Sequence, residues 1–294
     1  MVGWYFMMLQ ISCANEAIGD FEIVLVKIGG SSITHKASRE TLNDKALSWF
    51  ADTISSSVSS AFLAPVGYDE CITDENATKS SKELGFVIIH GAGSFGHHSA
   101  KDHGLKGQSE DPENSLASPS IPDRFQMRGV AETRLAVQTL NRHVVGKLLE
   151  YGVTAVGVSP CFGVPGLEAH AIRQPAAREM LERVVKETLY AGIVPVLHGD
   201  ACLYGPWGGI LSGDSIMEIL GTSSWVHHSV FITDVDGVFS EDPRVNPDAQ
   251  LLKHIFVDQK SGRIITKLSA SSSSHIHDVT GGLAVSKHSL AAAY

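Results

Sequence analysis

Apolar positions along the chain gather into five short unbroken runs: Ile23–Val26, Phe86–Ile89, Ala155–Val158, Val194–Leu197 and Val230–Ile232. Runs of this length with no polar alternation predict strands covered on both faces, the signature of a parallel sheet. Each run gives way at its C-terminal end to Gly, Ser, Asp or His. Between the runs, Val130–Tyr151 and Pro175–Ala191 repeat apolar residues at three-and-four spacing, which predicts amphipathic helices. Strands alternating with helices imply an α/β sandwich with its ligand loops at the carboxyl ends of the strands.

Three polar stretches interrupt this pattern. Pro65–Glu83, with Asp69, Glu70, Asp74 and Glu75, and the Ser-, Pro- and acid-rich Gln108–Asp123 read as surface insertions, and SASSSSH at Ser269–His275 as a linker. The opening MVGWYFMMLQI is apolar, yet it lacks a basic flank and is too short to span a bilayer. Residues 1–20 are therefore expected to be an appendage to the fold, and nothing here points to a membrane.

With 294 residues, 43% of them hydrophobic, the chain can bury a substantial core. A formal charge of -9 and the lack of a Lys/Arg stripe argue against nucleic-acid binding, so any anionic ligand has to be met locally. Cys13, Cys71, Cys161 and Cys202 are far apart in sequence, without CxxC or Cys/His metal spacing. No disulfide framework or zinc site is expected, no protein metal ligands are identified, and a reducing, cytoplasmic location fits best.

The strand ends carry the candidate chemistry. In VLVKIGGSS, Lys27 precedes Gly29, Gly30, Ser31 and Ser32, an arrangement that suits either a structural turn or a lysine held against phosphate oxygens above glycine-loop N–H groups. Lys36 follows as a second cation or a solvated loop residue. In HGAGSFGHH, the glycines at 91, 93 and 96 let backbone approach an anion. The G-x-G-x-x-G spacing also fits a dinucleotide site, but Glu110 and Asp111 fall in the polar insertion rather than at the end of a following strand. Of the two histidines, both expected on the loop and both open to a plain surface role, His97 directly after Gly96 has the better claim to donate to an anion.

Further on, a strand ends in His198-Gly199-Asp200, and SGD at Ser212–Asp214 opens the helix-type IMEIL. Ser212 or Asp214 suits a helix cap; Asp214 equally suits orienting active-site lysines or reaching Mg²⁺. TDVDG places Thr233, Asp234, Asp236 and Gly237 after the last strand without the remaining ligands of a calcium loop. HDVTGGLAVSK ends in Lys287. Neither a Walker A loop nor the HRD and DFG motifs of protein kinases are present, so another device has to hold phosphates.

In order, KIGGS, HGAGSFGH, HGD with SGD, TDVDGV and DVTGG…K resemble the amino acid kinase family, and SFGH with His97 resembles its isopentenyl phosphate branch. The resemblance covers roughly Ile23 to Lys287. It implies a three-layer αβα sandwich with a mainly parallel central sheet, an acceptor-binding N-terminal lobe over residues 21–200 and a nucleotide lobe over 201–294. It implies ATP with Mg²⁺, isopentenyl phosphate as the small-molecule acceptor, and a homodimer.

The resemblance also distributes roles. Lys27 and Gly30 would hold the transferring phosphoryl group, flanked by Gly29 and Ser31, and Lys36 would assist the nucleotide phosphates. Gly91, Ala92, Gly93, Gly96 and His97, with Gly199 and Asp200, would hold the acceptor monophosphate. Asp214 would organise the lysines; Thr233, Asp234, Gly237 and Lys287 would lie on the nucleotide side. Chains of this family continue past the GG…K motif through a further helix and strands, so the nucleotide lobe is expected to be short, which leaves ATP binding and turnover in this form open. The alternatives are another small-acid or phosphate kinase of the same fold and a non-catalytic phosphate-binding relative.

Overall fold

The computed structural model describes residues 5–10, 18, 21–63, 83–107, 123–161, 175–204, 207–233, 240 and 246–251. In chain order these form β1 (Tyr5–Gln10), β2 (Phe21–Ile28), the single turn α1 (Gly30–Ile33), α2 (Asp44–Ser55), β3 (Glu83–His90) and α3 (Gly93–Asp102). There follow β4 (Lys106–Gly107), α4 (Arg124–Glu150), β5 (Ala155–Gly157), α5 (Pro175–Tyr190), β6 (Val194–His198), β7 (Asp200–Tyr204), β8 (Trp207–Leu211), α6 (Gly213–Gly221) and β9 (His228–Thr233).

The five apolar runs all lie in the central sheet, ordered β1-β9-β2-β3-β6-β5, and every pairing among those five strands is parallel. Ile23, Leu25, Ile28, Val87, Ile88, Ile89, Val194, Val196 and Leu197 are inaccessible to solvent, as strands covered on both faces require. Helices α2, α3 and α4 pack together on one face of the sheet. On the other lie α5 and α6, joined where Glu182 of α5 accepts hydrogen bonds from Ser223 Oγ (2.8 Å) and Trp225 Nε1 (3.3 Å) just past α6.

Three features differ from expectation. Residues Tyr5–Gln10, expected within an appendage, pair antiparallel with β9 from Tyr5↔Thr233 to Gln10↔His228 and so extend the sheet beyond β9. Helix α4 begins at Arg124, six residues before the apolar periodicity starts. Its N-cap Asp123 accepts from the Phe125 amide at 2.9 Å, and Gly129 passes so close to His103 that a Cβ there would lie 2.3 Å from the histidine Cβ. A small second sheet, β4-β8-β7, was not expected either: β7 and β8 form an antiparallel hairpin over a minor core of Ala100, Leu105, Val130, Ala201 and Ile210.

Topology places the candidate chemistry. Strand β2 has the next strand of the chain's sequence, β3, on one side and β9, the last among the described residues, on the other. Its carboxyl end is thus a topological switch point, where the connections diverge and leave a crevice. The ladder runs one residue past each strand: Gly29 N–H donates to Ile232 O (3.0 Å), Gly91 N–H to Ile28 O (3.1 Å) and Gly199 N–H to His90 O (3.0 Å). KIGG, HGAG, HGD and Thr233 are thereby delivered to one rim.

Candidate active site

Lys27, the penultimate residue of β2, is mostly buried, and its ammonium forms an ion pair with Asp214 Oδ1 in the first turn of α6. Such a charge is tolerated near a sheet interior only beside a counter-charge. In the SGD motif a helix cap and an ion pair coexist. Ser212 caps α6, accepting from the Ser215 amide at 3.1 Å, and this leaves Asp214 for the lysine. Gly213 starts the helix within ordinary contact distance of the sheet: a Cβ there would lie 3.5 Å from Ile89 Cγ2 and 3.7 Å from Lys27 Cε.

The two glycine loops meet backbone to backbone. A Cβ on Gly30 would lie 2.2 Å from the Gly93 amide nitrogen, and one on Gly91 would lie 2.8 Å from the Gly30 nitrogen. Gly93 has φ +53°, and Thr34 bridges the loops: its Oγ1 donates to Gly30 O at 2.8 Å and accepts from the Ser94 amide at 2.9 Å. Glycine at these positions is required by chain packing whether or not an anion is present. Gly29 and Ser31 remain half-exposed at the rim, and Thr233 ends β9 beside them, buried.

His97 and His98 stand on a helix rather than in a loop. Gly93 opens α3, so SFGHH forms its first two turns, with His97 and His98 half-buried. Gly96 does not face an acceptor: its Cβ direction points at Val137 Cγ1 of α4 (2.6 Å) and Ala92 Cβ (2.7 Å), so its small size serves helix packing. Lys36 is exposed on the connection between α1 and α2.

Asp200 is also committed elsewhere. Its side chain is inaccessible, Arg134 of α4 forms an ion pair with Oδ2, and Oδ1 accepts from the Ala201 amide at 2.9 Å. The same guanidinium donates to Ser159 Oγ (2.9 Å) and to Cys161 O (3.1 Å). Burial pushes the Asp200 carboxyl up to about 7, against the pull of Arg134. Asp200 is thus an internal anchor of β7, a correction to its expected contact with the acceptor; Gly199 stays at the rim, its Cβ direction facing the Gly213 nitrogen at 3.1 Å.

Beneath the rim lies a polar layer that sequence reasoning missed. His90 and His198, the last residues of β3 and β6, stack with ring centroids 5.7 Å apart, and Asn141 of α4 bonds both His90 Nε2 (3.1 Å) and Val196 O (3.1 Å). Burial holds His90 down at about 3, helped by His198, and holds His198 at about 4. The repeat of His-Gly at two strand ends was the available signal. Cys161 and Cys202, remote in sequence, are both buried and unbonded, and contact with Cys202 together with burial pushes the Cys161 thiol up. Asp234, Asp236, Gly237, Lys287 and the Ser269–His275 linker lie outside the described residues, as do nearly all of Pro65–Glu83 and Gln108–Asp123.

Comparison with known proteins gives this geometry its relatives. The family model described as the amino acid kinase family matches residues 22–293. An isopentenyl phosphate kinase of Arabidopsis thaliana is 33% identical over 282 residues, covering 88% of this chain and 80% of that protein. One from Methanothermobacter thermautotrophicus is 31% identical, over 78% of this chain and 74% of its own length. An X-ray structure of isopentenyl phosphate kinase superposes with a TM-score of 0.57 at 30% identity, covering 79% of this chain and 81% of its own. The product complex of the T. acidophilum isopentenyl phosphate kinase gives 0.52 at 27%, with 78% of each chain covered. The glycine loops meeting at the switch point and the buried Lys27–Asp214 pair thus stand within a shared αβα frame, and the chain belongs to the amino acid kinase family and, within it, to the isopentenyl phosphate kinases.

Proposed function

We propose that this protein transfers the terminal phosphoryl group of ATP to isopentenyl phosphate, producing isopentenyl diphosphate and ADP. The observation that carries the reading is the convergence on one rim of the Lys27–Asp214 pair, the abutting loops at Gly29–Gly30 and Gly91–Gly93, and the helix bearing His97.

The acceptor is itself a phosphate. With a second pKa of about 6 it is largely ionised at neutral pH and needs no general base. The difficulty lies in bringing two anions into line, so the protein's task is charge compensation and alignment. Lys27, oriented by Asp214, sits between the loops and faces the group in transfer. Gly91, Ala92 and Gly93 hold the acceptor phosphate from the second loop, and His97 donates to it from α3. Gly29, Gly30, Ser31, Lys36 and Thr233 lie toward the nucleotide, and we assign Asp234, Gly237 and Lys287 to the same side, Lys287 to the charge developing between the β- and γ-phosphates.

Among the described residues there is no group of three or more metal-ligating side chains. Mg²⁺ carried in by the nucleotide, with phosphate oxygens and water completing its shell, fits a site of this kind. It supplies charge neutralisation when bound. The reading includes a homodimer and a cytoplasmic location; among the described residues Cys161 and Cys202 form no disulfide, which fits the latter.

The deciding experiment is ADP release coupled to isopentenyl phosphate, run beside calorimetric titration with Mg-ATP. Turnover dependent on both substrates is expected. Binding of isopentenyl phosphate with neither ATP binding nor turnover would leave a phosphate-binding relative and end the kinase reading.

A further inference from the structure

The segment between α1 and α2 carries Lys36, and it is strapped along the length of α3. At the first turn, Ser94 Oγ accepts from the Thr41 amide at 3.3 Å and donates to Thr41 O at 3.4 Å, while the Glu40 amide donates to Ser94 O at 3.3 Å. At the second turn, His98 Nε2 lies 3.3 Å from the Lys36 carbonyl oxygen. A carbonyl only accepts, so this nitrogen carries the proton. At the end of the helix, Asp102 Oδ2 accepts from Arg39 Nη2 at 2.5 Å.

Ser94, His98 and Asp102 are spaced i, i+4, i+8, and residues so spaced form one stripe on an α-helix. Every contact of that stripe given above goes to the Lys36 segment. Glu40, with φ +50°, turns the segment back at the height of Ser94, so the chain holds an uncommon backbone conformation to stay on the stripe. His97, one residue round the helix, lies off it.

We infer that His98 is a positioning residue for phosphoryl transfer: by fixing the Lys36 backbone to the helix that bears His97, it holds the nucleotide-side lysine at a set distance from the acceptor grip. This rests on the assignment of Lys36 to the nucleotide phosphates. The consequence is that α3 acts as a ruler between the two anions, with one face for the acceptor and the adjacent stripe for the donor's lysine. Since transfer depends on in-line placement, a loose Lys36 weakens nucleotide binding and alignment without touching the acceptor phosphate.

The test is a double-mutant cycle of His98→Ala and Lys36→Ala in the full chain, with His98→Gln as the conservative variant. His98→Ala is expected to raise KM for Mg-ATP about three- to tenfold, the loss of one hydrogen bond. KM for isopentenyl phosphate and the melting temperature should stay near wild type, and His98→Gln, which keeps a donor at similar reach, should recover most of the loss. In the Lys36→Ala background, His98→Ala should cost nothing further, because its effect passes through the missing ammonium. If Lys36→Ala impairs ATP use while His98→Ala does not, or the two effects add, the inference is overturned and the assignment of Lys36 stands. If Lys36→Ala leaves ATP kinetics unchanged, that assignment falls and takes the inference with it.

Discussion

Lys27 and Asp214 are 187 positions apart in the chain and form an ion pair at the carboxyl rim of the sheet. The lysine comes up on the switch-point strand, and the carboxylate stands in the first turn of a helix that Ser212 caps. Asp214→Asn keeps the volume and removes the charge that holds Lys27 in place. Turnover in the coupled ADP-release assay is expected to fall about 10²- to 10³-fold, as for the loss of one preorganised electrostatic contact. Fold should be retained, since Asp214 is partly exposed. Activity within a factor of about three of wild type, a difference of well under 1 kcal/mol, would take Asp214 out of the machinery.

His97 on α3 is expected to govern the acceptor. His97→Ala should lower kcat/KM for isopentenyl phosphate about 10- to 100-fold, the range for a hydrogen bond to a charged group, with KM for Mg-ATP little changed. His97→Gln should restore part of it by returning a donor. Unchanged acceptor kinetics in the alanine variant would remove His97 from the site.

The glycines separate packing from chemistry. Gly30→Ala drives a methyl onto the Gly93 backbone, which cannot rotate away, and is expected to destabilise by roughly 1–3 kcal/mol or more. Gly104→Ala is the comparison: φ is +64° but the surrounding space is open, so only the backbone term remains. Urea unfolding of both variants measures the difference. Equal stability would mean that the two loops do not press on each other.

The five strands were legible because each is apolar on both faces, a pattern that local sequence alone carries. The site was legible as an ordered set of glycine loops, and Lys27, Gly30, Gly91, Gly93, Gly199 and Asp214 do converge. What local pattern does not carry is which partner a residue meets. Gly96 reads like the other loop glycines, yet it faces Val137 of α4; Asp200 follows His-Gly at the rim, yet it turns inward to Arg134. Arg134 lies within an amphipathic helix, where an arginine reads as solvated. His97 was expected on a loop because SFGHH has poor helix propensity, and its helix is held by packing on α4 rather than by intrinsic preference.

Arg134 holds Asp200, Ser159 and Cys161 O at once, so lysine cannot replace it. Arg134→Ala leaves a buried carboxyl without a cation and is expected to cost about 3–5 kcal/mol. Asp200→Asn added to Arg134→Ala should recover much of this, because the orphaned charge is gone. Thermal melts and urea curves of the three variants close the cycle. If the double variant is as unstable as Arg134→Ala alone, the charge is not the cause.

Acid should strike the layer beneath the rim. His90 Nδ1 donates to Gly91 O at 3.0 Å, so Nε2 is the bare nitrogen, and it faces the Asn141 amide donor. A proton arriving at Nε2 meets another N–H, with the His198 ring stacked alongside. The folded chain therefore keeps His90 neutral down to about 3 and His198 to about 4, whereas the unfolded chain protonates both near the ordinary 6.5. Between those limits the unfolded state binds more protons, so stability is lost as pH falls from 6.5. Asp200, protonating at about 7 when folded and about 3.8 when unfolded, acts in the opposite sense and offsets part of the slope. The contribution of His90 is isolated by comparing wild type with His90→Gln in urea at pH 7, 6, 5 and 4. The unfolding free energy of wild type should fall more steeply than that of the variant, by at most about 1.4 kcal/mol per pH unit. Parallel curves for the two proteins would mean that His90 takes up its proton in the folded state at its ordinary pKa, and that the donor-to-donor arrangement with Asn141 does not hold in solution.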